Sequence, residues 1–252
     1  MTQNSLPDRL KRPTVEEAIF EVRFVPQTQS VVGLLPGILF TKLGTRYTKH
    51  EAQALATLPP EFRANNPELK YAQQVRLSAE DNSSLFVGDW VAGASSTAPY
   101  LGWLNLKQRI VELVEVLQES RLIRSVERVS FKYVNIVPLP LARQMDALKL
   151  AVRIADETPP PAGFRLRAEN NSGDYRRIFE FMTGVATTRP NGEHREGLLV
   201  SLDAIMLLPA GGGVEVVTEA VVEAVHLEAK RMFFGVITDE TLAELAPEYE
   251  VS

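Results

Sequence analysis

Residues 126–140, VERVSFKYVNIVPLP, set the frame for any fold of this chain. Val129, Phe131, Tyr133, Asn135 and Val137 alternate with Ser130, Lys132, Val134 and Ile136. That alternation sends one set to each face of a sheet. Pro138 and Pro140 then stop further ladder pairing. The constraint is sharper because the strand has an earlier counterpart. VEEAIFEV (15–22) and VERVSFKY (126–133) carry Val, Glu and Phe at matching places, displaced by 111 residues (Val15 against Val126). Ala18, Phe20, Val22 and Phe24 alternate there with Glu17, Ile19, Glu21 and Arg23, and Pro26 ends the run.

The segments after each of these strands keep one order. After the first, a helix is expected between Ser30 and Tyr47, beginning near Leu34 because Pro36 suits a first turn. Its apolar side would be Leu34, Ile38 and Leu39. A proline-marked loop spans 57–69. Strands are expected over 71–79, 84–92 and 100–106, then a helix over 107–120 with Ile110, Leu113, Val114 and Leu117 on one face. After the second strand the expectation is a helix over 142–155, a stiff loop DETPPPAG (156–163), and strands over 164–168, 175–187 and 197–208. Asn171-Ser172-Gly173-Asp174 is a hairpin turn. Gly211 to Gly213 act as a hinge into a last helix, 214–234, carrying Val221, Val222, Val225, His226, Ala229, Met232 and Phe233 on one face.

Both halves thus read strand–helix–three strands–helix. The fold class is α+β: two pseudo-repeated halves, each an antiparallel sheet backed by helices. Consecutive antiparallel strands need only hairpins, and an apolar sheet face needs helical cover. Residues 1–12 are expected to be a flexible arm, 13–125 the first half and 126–252 the second, packed as one unit.

Composition excludes several chemistries. The chain of 252 residues has no cysteine, so disulfides, thiolate metal sites and thiol nucleophiles are ruled out. There is no HxH, HxxxH or HExxH spacing for a metal and no GxSxG elbow; the three glycines at 211–213 lack the Lys-Ser/Thr of a phosphate loop. No metal and no cofactor are expected. With 32 acidic against 27 basic residues the net charge is −5, which argues against a broad grip on nucleic acid. Arg165, Arg167, Arg176 and Arg177 are the best local phosphate contacts. The N-terminus has no apolar run of a secretory signal, and the longest apolar stretch, 31–40, is about half of a membrane span. A cytoplasmic protein without membrane contact is the expectation.

Several blocks taken in order resemble a sporadically distributed bacterial family of unknown function. They are Pro13 to Ala18 with Phe20 to Phe24, Glu127-Arg128-Val129 with Tyr133-Val134-Asn135, Leu202-Asp203, and His226-Leu227-Glu228 with Ile237-Thr238-Asp239. The family pattern usually has Arg where Lys132 stands and Ile where Val134 stands. The resemblance implies an α+β fold and a distribution like that of defence or toxin–antitoxin genes. It implies no activity.

Two constellations are candidates for a site. His226 lies on the apolar face of the last helix, and a buried imidazole needs partners. Asp203 on the preceding strand is the expected one, serving either a proton-transfer pair or a helix-to-sheet lock. His50 and His194 fall in polar segments and read as surface residues. The second constellation is a polar stripe: Glu21, Arg23, Lys132, Arg165, Arg167, Glu180, Ser201 and Asp203. If these faces align they form a mixed-charge surface, either solvated and paired across strands or available to a ligand. The leading expectation is a non-enzymatic protein-interaction or regulatory module working with a neighbouring gene product, in bacterial defence or a toxin–antitoxin pair, with a homodimer formed through sheet edges. The alternative is a small-ligand sensor or enzyme using a groove between the halves, with His226, Asp203 and Lys132 to test. Nucleic-acid binding is the third.

Overall fold

A computed structural model of the chain describes residues 6–67, 69–189 and 191–249. The elements run β1 (Arg9–Leu10), β2 (Val15–Pro26), α1 (Leu35–Leu43), β3 (Tyr47–Ala52), α2 (Pro60–Asn65), β4 (Val75–Ala79), β5 (Ser83–Val87), β6 (Val91–Thr97), α3 (Trp103–Ser120), β7 (Ile123–Val137), β8 (Arg165–Ser172), β9 (Tyr175–Thr188), β10 (His194–Leu207), α4 (Glu219–Val236), α5 (Asp239–Glu244) and β11 (Pro247–Glu248).

The fold is α+β, and one antiparallel sheet of nine strands carries both halves, in the order β3-β4-β5-β6-β2-β7-β10-β9-β8. The join is the pairing of β2 with β7. Its register expresses the repeat: Phe20 faces Phe131, its own counterpart at the 111-residue displacement, and the flanking pairs Ala18↔Tyr133 and Val22↔Val129 exchange roles. An approximate two-fold axis therefore crosses the sheet at the Phe20–Phe131 pair. The helices obey a similar relation. Leu106, Arg109, Ile110, Leu113, Val116 and Leu117 are the buried residues of α3, and the residues displaced by 116 (Val222 against Leu106), namely Val222, Val225, His226, Ala229, Met232 and Phe233, are buried in α4. Lys107 of α3 and Glu223 of α4 are equivalent by that displacement, and they form an ion pair at 3.2 Å where the helices cross.

One sheet face is the core. Ala18, Phe20, Val22 and Phe24 of β2, Val129 and Phe131 of β7, and Leu202 and Ala204 of β10 are fully buried beneath α1, α3 and α4. Burying large aliphatic and aromatic side chains contributes about 1.5–3 kcal/mol each.

The helix expected over 142–155 does not form. Only a 3₁₀ turn, Leu141–Arg143, is present there, and the chain runs on as a loop. Gln144 explains the shape: wholly buried, it donates to the Leu139 carbonyl at 2.8 Å and accepts from the Gly184 amide at 2.8 Å. The strand expected over 100–106 is likewise absent. β6 lies earlier, and after the cis Ala98–Pro99 peptide α3 begins at Trp103. β3, α2 and α5 are elements the periodicity did not indicate. Leu34, expected on the buried side of its helix, is half exposed, and Leu35 takes its place. Residues 1–5 of the expected arm lie outside the described residues. Arg9 and Leu10 pair with Glu248 and Pro247 as a small second sheet.

Candidate functional site: the uncovered face of the sheet

The long helices α3 and α4 pack on the core face, so neither covers the other face, where Tyr71 lies over Arg23 at one end. The strand registers place one residue of each strand in a row across it: Lys49, Ser78, Ser84, Ser95, Ile19, Lys132, Asp203, Ile178 and Glu169. A neighbouring row runs Glu51, Arg76, Phe86, Gly93, Glu21, Ser130, Ile205, Arg176 and Asn171. On the other side lie Thr97, Glu17, Val134, Ser201, Glu180 and Arg167. All eight members of the polar stripe, Glu21, Arg23, Lys132, Arg165, Arg167, Glu180, Ser201 and Asp203, fall on this one face.

The floor of the face is made of small residues. Ser84, Ser95, Ser130 and Ser201 are buried among longer neighbours. Gly93 permits one of the packings. A Cβ there would collide with the Phe86 ring and with the Phe20 carbonyl oxygen, so glycine lets Phe86 lie across β6.

Charges ring the floor in two networks. In one, the Glu21 carboxylate accepts from Arg23 at 2.6 Å and from Arg128 at 3.1 Å, and the Arg23 guanidinium lies 4.0 Å above the Tyr71 ring. In the other, Arg167 donates to Glu180 at 2.6 Å and to Glu169 at 2.8 Å, and Glu169 also accepts from Arg176 at 3.0 Å. Arg176 and the Arg167 guanidinium hold the Glu169 carboxyl below its ordinary range.

Lys132 and Asp203, register neighbours on β7 and β10, sit between the networks. Among the described residues neither has an ion-pair partner within 4.0 Å. Asp203 Oδ1 is buried and accepts no hydrogen bond, and Ser95 Oγ and Arg128 Nε are likewise buried and unpartnered. Burial pushes the Asp203 carboxyl up to about 6; Arg128 and Lys132 pull against the rise and Glu21 adds to it. An acceptor without a donor in such a place costs on the order of 1–3 kcal/mol.

His226 is not on this face. Asp203 pairs with Lys132, one step out of phase with Phe131, whereas the His226 ring lies 5.3 Å from the Phe131 ring on the core side. The sheet separates the two, so the expected His–Asp pair does not exist. His226 instead stacks on Trp103, with centroids 3.7 Å apart and planes within 8°. The Trp103 indole N–H donates to both oxygens of Glu223 at 3.1 and 3.2 Å. Burial pushes the imidazole down to about 4, more than Glu223 can restore. Because His226 stands where Ile110 stands in the first half, its place is that of a packed core residue. The cluster of Trp103, Phe131, Tyr133 and His226 fills the crossing of the halves, where the sensor or enzyme alternative expected a groove. His50 is exposed on β3. His194 opens β10 beside Thr188, and Pro190 of its turn lies outside the described residues.

A shallow hollow of about 410 Å³ lies elsewhere, at the C-terminal end of α3 beside Arg121, Arg124 and Gly213. Among the described residues no three His, Asp or Glu side chains come together as metal ligands, and no helix is long and apolar enough to cross a membrane. Sequence reasoning passed over Arg128, Ser95 and Ser130 as members of the face, and Trp103 and Glu223 as partners of His226. Strand parity with Lys132 was the available signal for Arg128 and Ser130. Comparison with known proteins finds no matching family model and no match among curated proteins.

Proposed function

We propose that this chain is a non-enzymatic interaction or regulatory module that docks a protein partner on the uncovered face of its sheet. The partner is the product of a neighbouring gene, in a cytoplasmic defence or toxin–antitoxin setting, and the chain also associates with itself. The observation that carries the reading is the centre of that face, where Asp203 and Lys132 lie unpaired over a floor of serines. A partner side chain that reaches them removes the cost of an unsatisfied buried acceptor. The charge pattern argues for protein over nucleic acid. Cations Lys49, Arg76, Arg23, Arg128, Lys132, Arg165, Arg167 and Arg176 are interleaved with carboxylates Glu51, Glu17, Glu21, Asp203, Glu169 and Glu180, and a phosphate backbone would meet both signs.

The raised Asp203 carboxyl beside Lys132 favours one second reading, a small polar ligand held at the same place. The test is co-expression with the adjacent genes, affinity capture and mass determination of the intact complex, repeated with Lys132→Glu. A stoichiometric protein complex that the substitution weakens supports docking on this face. A complex indifferent to Lys132→Glu places the partner elsewhere, and a lone chain carrying a small molecule supports the second reading.

A further inference from the structure

Among the described residues the sheet has two free edges, β3 and β8, and they differ. β3 is a six-residue strand whose ladder shifts register after Tyr47, and such irregularities blunt an edge against pairing. β8 is eight residues long, pairs with β9 in unbroken register and is exposed along most of its length. A two-residue turn with Gly173 at φ +57° closes the β8–β9 hairpin, which is the tight connection of a regular ladder.

The ladder phase decides which backbone groups are free. The Phe164 carbonyl accepts from the Thr183 amide at 3.1 Å, so even-numbered residues of β8 turn their peptide groups toward β9. In an antiparallel ladder the alternate residues then turn theirs outward. Arg165, Arg167, Glu169 and Asn171 are therefore the residues whose N–H and C=O groups lie open on the edge.

We propose that two copies of this chain pair through β8, antiparallel about a two-fold axis at Ala168, to make one continuous sheet. This rests on the self-association in the proposed function and assigns it a surface. In that register Arg167 lies opposite Glu169 of the second copy, and the reverse pair repeats the contact. Arg165 lies opposite Asn171. All four are outward residues, so each opposed pair exchanges two backbone hydrogen bonds. On the other face Ala168 meets itself, where a larger side chain would crowd the close approach of a non-hydrogen-bonded pair. The edge charges that would deter other strands are thus complementary to themselves.

The experiment is sedimentation equilibrium on the full chain and on two single variants, Arg167→Glu and Glu169→Arg, alone and mixed in equal amounts. The unmodified chain is expected at twice the chain mass. Each variant alone opposes like charges at both pairs, and its self-association should weaken about tenfold or more. The mixture restores opposite charges at both pairs and should recover the dimer. Each variant also loses its intrachain ion pairs, with Glu180 and Glu169 for Arg167→Glu and with Arg176 and Arg167 for Glu169→Arg, but mixing restores nothing within a chain, so recovery reads the interface alone. An unmodified chain that stays monomeric at roughly 100 µM overturns the self-association reading and this surface together. A dimer unaffected by either variant overturns only the β8 assignment. Variants that dissociate and fail to recombine overturn the Ala168 register.

Discussion

Asp89→Ala should be among the most damaging single changes in this chain, and the structure supplies its magnitude. Asp89 occupies the turn between β5 and β6 and is 3% exposed; Arg63, on α2, is also 3% exposed. Asp89 Oδ2 accepts from Arg63 Nη2 at 3.0 Å and from Gln74 Nε2 at 3.2 Å. Its Oδ1 accepts from Ser30 Oγ at 3.2 Å and from the Val32 amide at 3.4 Å. Four donors from three segments thus meet on one carboxylate. Removing it leaves a guanidinium uncompensated inside the protein, which costs about 3–5 kcal/mol. That is about a fifth or more of the ~5–15 kcal/mol that holds a typical domain together. In urea, with a slope of about 3 kcal/mol/M, the midpoint should fall by roughly 1–2 M. Circular dichroism through a urea titration reads this directly. Arg63→Met leaves Asp89 its three other donors and should cost less. The double variant should be more stable than the two single losses predict, because the isolated buried cation is gone. A midpoint shift below about 0.3 M for Asp89→Ala would refute the assignment of this cluster as the clip that holds residues 53–74 to the sheet.

The uncovered face and the core give further expected outcomes. The Asp203 carboxyl titrates near 6 in the folded chain against 3.8 ordinarily. The Asp203 contribution to folding is therefore largest below pH 4 and is lost as pH rises through about 6. Asp203→Asn should stabilise the chain above pH 6, by up to roughly 3 kcal/mol, with the gain fading toward pH 4 in thermal melts. His226 has the opposite slope: its imidazole is held neutral down to about 4, so stability is lost as pH falls from 6.5 through 4. His226→Phe should remove that acid-side loss, and melting curves between pH 4 and 7 should separate the two residues. Gly93→Ala forces Phe86 and the adjoining β2 backbone apart and should cost about 1–3 kcal/mol in urea unfolding.

Much of the architecture was legible in the sequence because strand and helix periods are local properties. The alternation of β2 and β7, the hairpin at Gly173 and the apolar faces of α3 and α4 come from residue spacing alone. The segment 142–155 misled for the same reason. Met145, Leu148 and Val152 have helical spacing, but the buried hydrogen bonds of Gln144 hold the chain as a loop, and those bonds involve Leu139 and Gly184 outside that segment.

The candidate site divides in the same way. Strand parity placed Glu21, Lys132 and Asp203 on polar faces, since a side chain's face depends only on its position along its own strand. Parity within one strand does not say which polar faces coincide, nor on which side a helix will lie. Those relations come from register between strands far apart in sequence, Ile19 with Lys132 and Lys132 with Asp203. Register also separated His226 from Asp203, by sending one to the helix side and the other to the uncovered side. Local residue order thus set the kinds of elements and the chemistry they carry. Pairing of β2 with β7 made the two halves share one sheet, because only long-range contacts select one register from the several that local alternation permits.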